Sequence, residues 1–350
     1  TTGSDNTGLG RNALANNTTA NNNTAVGSQA LLKNTTAAHN TGIGYAALQD
    51  TTTGALNTAV GREAMKTNTT GTENAAIGRN ALDNNTTASY NVAAGSLALY
   101  GNTTGAYNSA LGFESLKANT TGSFNTGLGK AALYSNTTAS YNTGVGANAL
   151  NLNTTGANNT AVGHNVLDAN TTADNNTAMG YYSLSANTTG ASNIAVGYEA
   201  LLGNTTADYN IGVGTWALRA NTTGQRNTAT GISALYANTT ASDNTALGYA
   251  SLAANTTGAE NTAVGKSALG NNTTASYNVA VGTNSLNDIT TGAENTGVGY
   301  KTLFTATTAS YNTALGNTAL YANTSGANNV AVGRSALYNN TTGTDNVAVG

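Results

Sequence analysis

The chain has no cysteine, so neither a disulfide framework nor a thiolate metal site can hold it together, and its stability must come from stacking of the chain on itself. Charge is scarce: Asp, Glu, Lys and Arg make up 8% of the residues and the net charge is −3. That leaves no basic stripe for nucleic acid and no polybasic patch for a lipid surface. No apolar run approaches the roughly 18 residues that a membrane helix needs, so no membrane insertion is expected. A low aliphatic content in a strongly charged chain would point to disorder. Here the charge is small and the pattern strictly periodic, so order is expected.

That pattern is a seventeen-residue repeat. Asn23 to His39, N-T-A-V-G-S-Q-A-L-L-K-N-T-T-A-A-H, sets the register, and its first Asn recurs at Asn6, Asn40, Asn57 and on to Asn346 without insertion or deletion. A fixed period marks a repeat architecture, and in a solenoid each repeat contacts only its neighbours. One continuous domain over 1–350 is therefore expected. The chain enters at repeat position 13 with Thr1 and leaves at position 5 with Gly350. No capping repeat is recognisable at either end, as in a window on a longer protein or a subunit whose ends others cover.

Position 1 is Asn and position 5 is Gly in every copy, Gly27, Gly44 and Gly61 among them; position 9 is Leu, as at Leu31 and Leu48, except at Met65. Position 12 is Asn except at Thr51, Ile289 and Ala306. A glycine inside each turn would cost a helix about 1 kcal/mol, so short strands joined by tight turns fit better: an all-β parallel β-solenoid of about twenty turns. Strand side chains alternate faces. The larger residues at positions 2 and 4 are expected to point inward to meet Leu at position 9. The small residues at 3 and 5 would then face outward, where another backbone could pack closely. Gly at 5 is expected to supply a positive φ at one corner, and Asn-Thr-Thr at 12 to 14 to form another through side-chain bonds to local backbone. Stacked Asn and Thr form ladders of the cross-β kind, with Asn23, Asn40, Asn57, Gly27, Gly44, Gly61, Leu31 and Leu48 in the structural columns. At about 4.8 Å per turn the rod would run on the order of 100 Å. Position 15 alternates Ala and Gly from Ala139 to Gly326, a superperiod of two turns.

Every Lys, Arg, Asp and Glu, both His, the one Trp and all Phe and Tyr fall at positions 6, 7, 10, 11, 16 or 17. These corners are expected to face solvent. Tyr90, Tyr107, Tyr141, Tyr209, Tyr277 and Tyr311 at position 17, with Trp216, are candidate recognition residues, since Tyr and Trp are enriched at interfaces. Packing of half-buried Tyr across turns is the plainer role for the same residues. No enzyme is expected: His39 and His164 lie roughly seven turns, or about 35 Å, apart, and Asp168 with Asp174 read as solvated corner charges. No cofactor or metal is expected, because carboxylates do not recur at one position and no Gly-rich stretch leads into a helix and Lys. Asn34-Thr35-Thr36 and its copies match the N-glycosylation acceptor, but a structural ladder explains the same three residues.

The stretch N-T-A-V-G-K-S-A-L, Asn261 to Leu269, resembles the head repeats of trimeric autotransporter adhesins, written S-V-A-I-G-x-x-A, and is similar to repeats of phage tail-fibre proteins. The likeness covers the first nine positions of each repeat; the adhesin repeat is shorter, lacking the Asn-Thr-Thr corner. The resemblance implies a left-handed parallel β-roll, a homotrimer with the small-residue face turned to its partners, and a role in surface attachment. The expected function is thus a non-enzymatic fibre segment, extracellular, at a cell surface or on a virion, meeting a receptor or glycan. The rivals are a subunit of an open-ended filament and an ice-binding array of Asn and Thr at positions 12 and 14.

Overall fold

A computed structural model describes residues 2–350; Thr1 lies outside the described residues. Among these there is no helix, and twenty-one three-residue strands run from β1 (Thr7–Leu9) to β21 (Val347–Val349), one per repeat. Two compact units divide the chain, one ending at Asn175 and one beginning at Asn176. In the first, β1 to β10 (Thr160–Val162) pair in parallel; in the second, β11 (Thr177–Met179) to β21 do the same. The register joins like positions, Thr24 to Thr41, Ala25 to Gly42 and Val26 to Ile43. The expected β-solenoid is the fold.

The chain has no proline, so every backbone N–H remains available to the stack. Several backbone bonds link each turn to its neighbour: Thr24 N–H to Asn40 C=O at 2.9 Å, Gly44 N–H to Val26 C=O at 2.8 Å, and Leu31 N–H to Ala47 C=O at 3.0 Å. Glycine at position 5 has φ between 123° and 139° throughout, as expected of a corner only glycine can make. A Cβ on Gly129 would also lie 2.7 Å from the carbonyl carbon of Gly146 in the next turn.

Three further corners per turn are left-handed without glycine. Gln29, Leu31 and His39, at positions 7, 9 and 17, have φ of 62°, 50° and 61°, and the same positions repeat the conformation along the chain. Each such residue costs roughly 1 kcal/mol or more in isolation; burial of Leu and the inter-turn bonds hold them there.

The strand faces are the reverse of the expectation. Position 3 is fully buried, as at Ala25, Ala59 and Ala246, while positions 2 and 4 point out: Ile77 is 53% and Val92 43% exposed. Space explains it. The interior of one turn already holds Leu at 9, two Asn at 1 and 12, and Ala at 8 and 15, and beside these a Val or Ile has no room at 3. A Cβ on Gly144 would lie 3.2 Å from Leu133 Cγ. The small-residue face therefore packs inside its own coil, and it offers no outward surface for a partner backbone.

Two amide ladders run through each interior. Asn40 N–H donates to Asn23 Oδ1 at 2.9 Å, and Asn57 N–H to Asn40 Oδ1 at 2.8 Å. At position 12, Asn119 Nδ2 donates to Asn102 Oδ1 at 2.8 Å and to Gly122 C=O at 2.9 Å. Asn108 Nδ2, from position 1, donates to that same Gly122 carbonyl at 2.9 Å, so the two ladders meet on the position-15 oxygen. The position-12 ladder breaks where its Asn is replaced: Asn34 Oδ1 before Thr51 and Asn272 Oδ1 before Ile289 are buried without a hydrogen-bond partner. Threonine hydroxyls at 13 bond the next turn rather than local backbone, as in Thr103 to Thr120 C=O at 3.0 Å.

The two-turn superperiod is accompanied by one bond. In a Gly turn the position-16 N–H donates to the position-16 side chain of the following Ala turn, which is Ser or Asp: Ala157 to Asp174 Oδ1, 2.6 Å; Ala191 to Asp208 Oδ1, 2.7 Å; Ala259 to Ser276 Oγ, 3.0 Å.

Candidate functional site

What varies from turn to turn is what solvent sees. The left-handed residues at 7 and 17 turn the chain at the edges of the coil, so their side chains leave the interior, and each backbone is pinned to the preceding turn, as Tyr90 N–H is to Thr72 C=O at 3.2 Å. Asp174, read as a solvated corner charge, is also the acceptor for Ala157 N–H. Asp168 is half-buried, and burial pushes its carboxyl above the usual range.

The candidate tyrosines fall into two situations. In the first unit Tyr90, Tyr107, Phe124 and Tyr141 form one column, with ring centroids 4.8, 4.9 and 5.2 Å apart and planes within 10° of parallel. Tyr107 and Phe124 have a ring stacked on each face, while Tyr90 and Tyr141 end the column, and all four rings remain partly exposed. The neighbouring Glu73 carboxylate raises the Tyr90 hydroxyl above its ordinary value. This column is packing across turns and exposure at once. In the second unit Tyr209, Tyr277 and Tyr311 are more than half exposed and separated by turns that carry other residues at position 17.

Trp216 stands at a different corner, position 7, apart from all of these. Its ring meets Tyr198 edge-on, centroids 6.3 Å apart and planes at 76°. Arg219 Nε donates to Glu199 Oε2 at 2.7 Å, and its guanidinium lies over the Tyr236 ring, 5.9 Å from the centroid. The Arg219 hydrogen bond foremost, opposed by partial burial and aided by the Tyr198 hydroxyl and the Trp216 indole N–H, holds Glu199 below the usual carboxylate range. Together Tyr198, Glu199, Trp216, Arg219, Ser233 and Tyr236 line an open groove of about 360 Å³ above Ala253. The repeat numbering holds the signal for it. Glu199 and Trp216 are one period apart, as are Arg219 and Tyr236, and residues one period apart touch.

The other exposed rows are simpler. Positions 2 and 4 form an uncharged strand face of Thr and aliphatic residues. Asn and Thr at positions 12 and 14 do not share a face, contrary to the expectation for an ice-binding array. Asn at 12 is buried in its ladder while Thr at 14 is exposed in most turns, because the chain turns between them. The same burial leaves the Asn-Thr-Thr amide inside the coil, engaged in hydrogen bonds and closed to a glycan.

Among the described residues no three of His, Asp and Glu come together as a metal ion would need, and no helix is long and apolar enough to cross a membrane. No protein-family model matches the chain, and no curated protein is similar to it in sequence.

Proposed function

We propose that the chain is a structural, non-enzymatic segment of an extracellular fibre of adhesin or tail-fibre type, displaying its corner residues to a partner from a cell surface or virion. One observation carries the reading. Residues that stay the same in every turn are buried or make the corners, and, apart from exchanges among small residues at the buried positions 3, 8 and 15, residues that change are at the surface. A catalyst needs one irregular place held in a fixed way; a display surface needs a scaffold indifferent to what it carries. The ladders provide that scaffold, because each turn is bonded mainly to the next.

Self-association belongs to this reading, as a homotrimer or an open-ended filament, through the outward rows at 2 and 4 and the corners rather than the small-residue face. Light scattering on the purified chain separates the forms. A fixed multiple of 34.8 kDa, with binding of chain-coated beads to a panel of cell surfaces, supports the adhesive fibre. Growth with concentration and no closed endpoint favours the filament. A monomer that coats beads without any cell attachment contradicts both. Ice binding would have to rest on the exposed Thr row at 14 alone, and absence of thermal hysteresis removes it.

A further inference from the structure

We infer that the groove between Tyr198, Trp216 and Tyr236 is a binding site for a neutral saccharide of one or a few pyranose rings. The inference deepens the adhesive reading by giving one displayed corner a ligand class, and rests on that reading only for its biological use. A stack of like turns makes a flat surface, and a hollow arises only where large side chains flank small ones. Here Tyr198, Trp216 and Tyr236 stand around Ser233 and Ala253.

The chemistry of the walls selects the ligand. Aromatic columns elsewhere in the chain bury ring faces against each other, with planes 2° to 12° apart, and Tyr198 itself stacks one face on Tyr181, 5.6 Å between centroids. The Tyr198–Trp216 pair is edge-on, 76° between planes, so no ring stacks on the Trp216 face there, and Trp216 is 39% exposed. A pyranose offers a C–H face to such a ring and a rim of hydroxyls that both donate and accept. The groove meets that rim with an acceptor at Glu199, donors at Arg219, and hydroxyls at Ser233, Tyr198 and Tyr236. Glu199 and Arg219 cancel in charge, so neither an anionic nor a cationic ligand is preferred. An aliphatic ligand would strand the polar groups unpaired.

The site is also set before a ligand arrives. Glu199 holds Arg219 by a 2.7 Å hydrogen bond, Arg219 lies over the Tyr236 ring, and Tyr198 meets Trp216 edge-on, so little side-chain freedom is left to lose on binding. Glu199 and Tyr236 are contact residues in this assignment.

The chain contains one tryptophan, Trp216, so its emission reports on this groove alone. The full chain is titrated with lactose, maltose, cellobiose and N,N′-diacetylchitobiose, and with sialyllactose as the acidic comparison, each to ~50 mM. The expected result is a saturable emission change with at least one neutral sugar, weakened about tenfold or more in Tyr236→Ala and in Glu199→Gln. Saturation-transfer NMR on Trp216→Ala, which removes the ring and its edge-on contact with Tyr198, should show the same loss. Circular dichroism of each variant should match the parent chain. No emission change with any sugar, a change equally strong in Tyr236→Ala, or binding of sialyllactose alone would each overturn the assignment. A sugar-inert chain that still forms a fibre and attaches to cells would refute the groove and leave the fibre reading standing.

Discussion

Thr51 sits at position 12, where the other turns of its unit have Asn, and its replacement should repair a broken ladder. In the present chain Asn34 Oδ1 and Thr51 Oγ1 are buried without partners, and Asn68 Nδ2 donates to Gly71 C=O at 3.0 Å with no amide before it. An Asn at 51 in the geometry of its neighbours adds three hydrogen bonds: to Asn34 Oδ1, to Gly54 C=O, and from Asn68 Nδ2. At about 1 kcal/mol net each, less roughly 1 kcal/mol for fixing a longer side chain, Thr51→Asn should stabilise these turns by about 2 kcal/mol. Stability in a stack is a sum of turn and nearest-neighbour contributions, so the effect should be local. Hydrogen exchange of amides in the flanking turns should slow by roughly 30-fold, a 2 kcal/mol change in opening. Thr51→Val is the control, since it removes the orphaned hydroxyl and leaves Asn34 Oδ1 as it was. If Thr51→Asn exchanges no more slowly than Thr51→Val, the ladder does not contribute as reasoned.

The second break needs two changes: Ile289→Asn alone satisfies Asn272 but faces Ala306, so the gain should appear in full only with Ala306→Asn, and a double-mutant cycle by urea titration reads the coupling. Gly129→Ala should destabilise by about 3 kcal/mol or more, because its φ of 136° and the Gly146 carbonyl both exclude a Cβ; a lowered thermal midpoint checks it. Ser276→Ala removes the acceptor for Ala259 N–H and should cost about 1 kcal/mol, whereas Ser→Ala at exposed Ser335 should cost little. Asp83 is pushed above the usual carboxylate range by burial, with Glu63 and Asp50 adding to the push and Asn80 opposing it. A raised folded value favours the protonated form, so Asp83→Asn should be the more stable protein at neutral pH. That advantage should shrink as pH falls through the folded value and vanish below the ordinary value near 3.9, which denaturation at a series of pH values will show.

The period, the parallel stacking, the glycine corner and the separation of scaffold from variable corners were all legible from residue identities, because a repeated residue must meet its own copy one turn away. The inside and outside of the strand were misread. Val at position 4 is a better core residue than Ala at 3 in an ordinary sheet, but a seventeen-residue coil has no room for it beside Leu and two asparagines. The left-handed residues at 7, 9 and 17 escaped notice because no glycine marks them, and Leu31 looks like any core leucine. Trp216 was visible as a solitary aromatic; its groove was not, since Tyr198, Arg219 and Tyr236 become its neighbours only when the sequence is wrapped at its own period.

Which side of the strand is buried is directly measurable, because the chain has no cysteine. Single cysteines placed at Thr245, Ala246 and Leu247 give three consecutive reporters in one strand, with exposed, buried and exposed side chains. In the native protein a thiol reagent should modify Thr245→Cys and Leu247→Cys at rates near that of a free thiol, and Ala246→Cys only after denaturant is added. Native Ala246→Cys reacting as fast as its two neighbours, or Thr245→Cys and Leu247→Cys both protected, would contradict that assignment of faces.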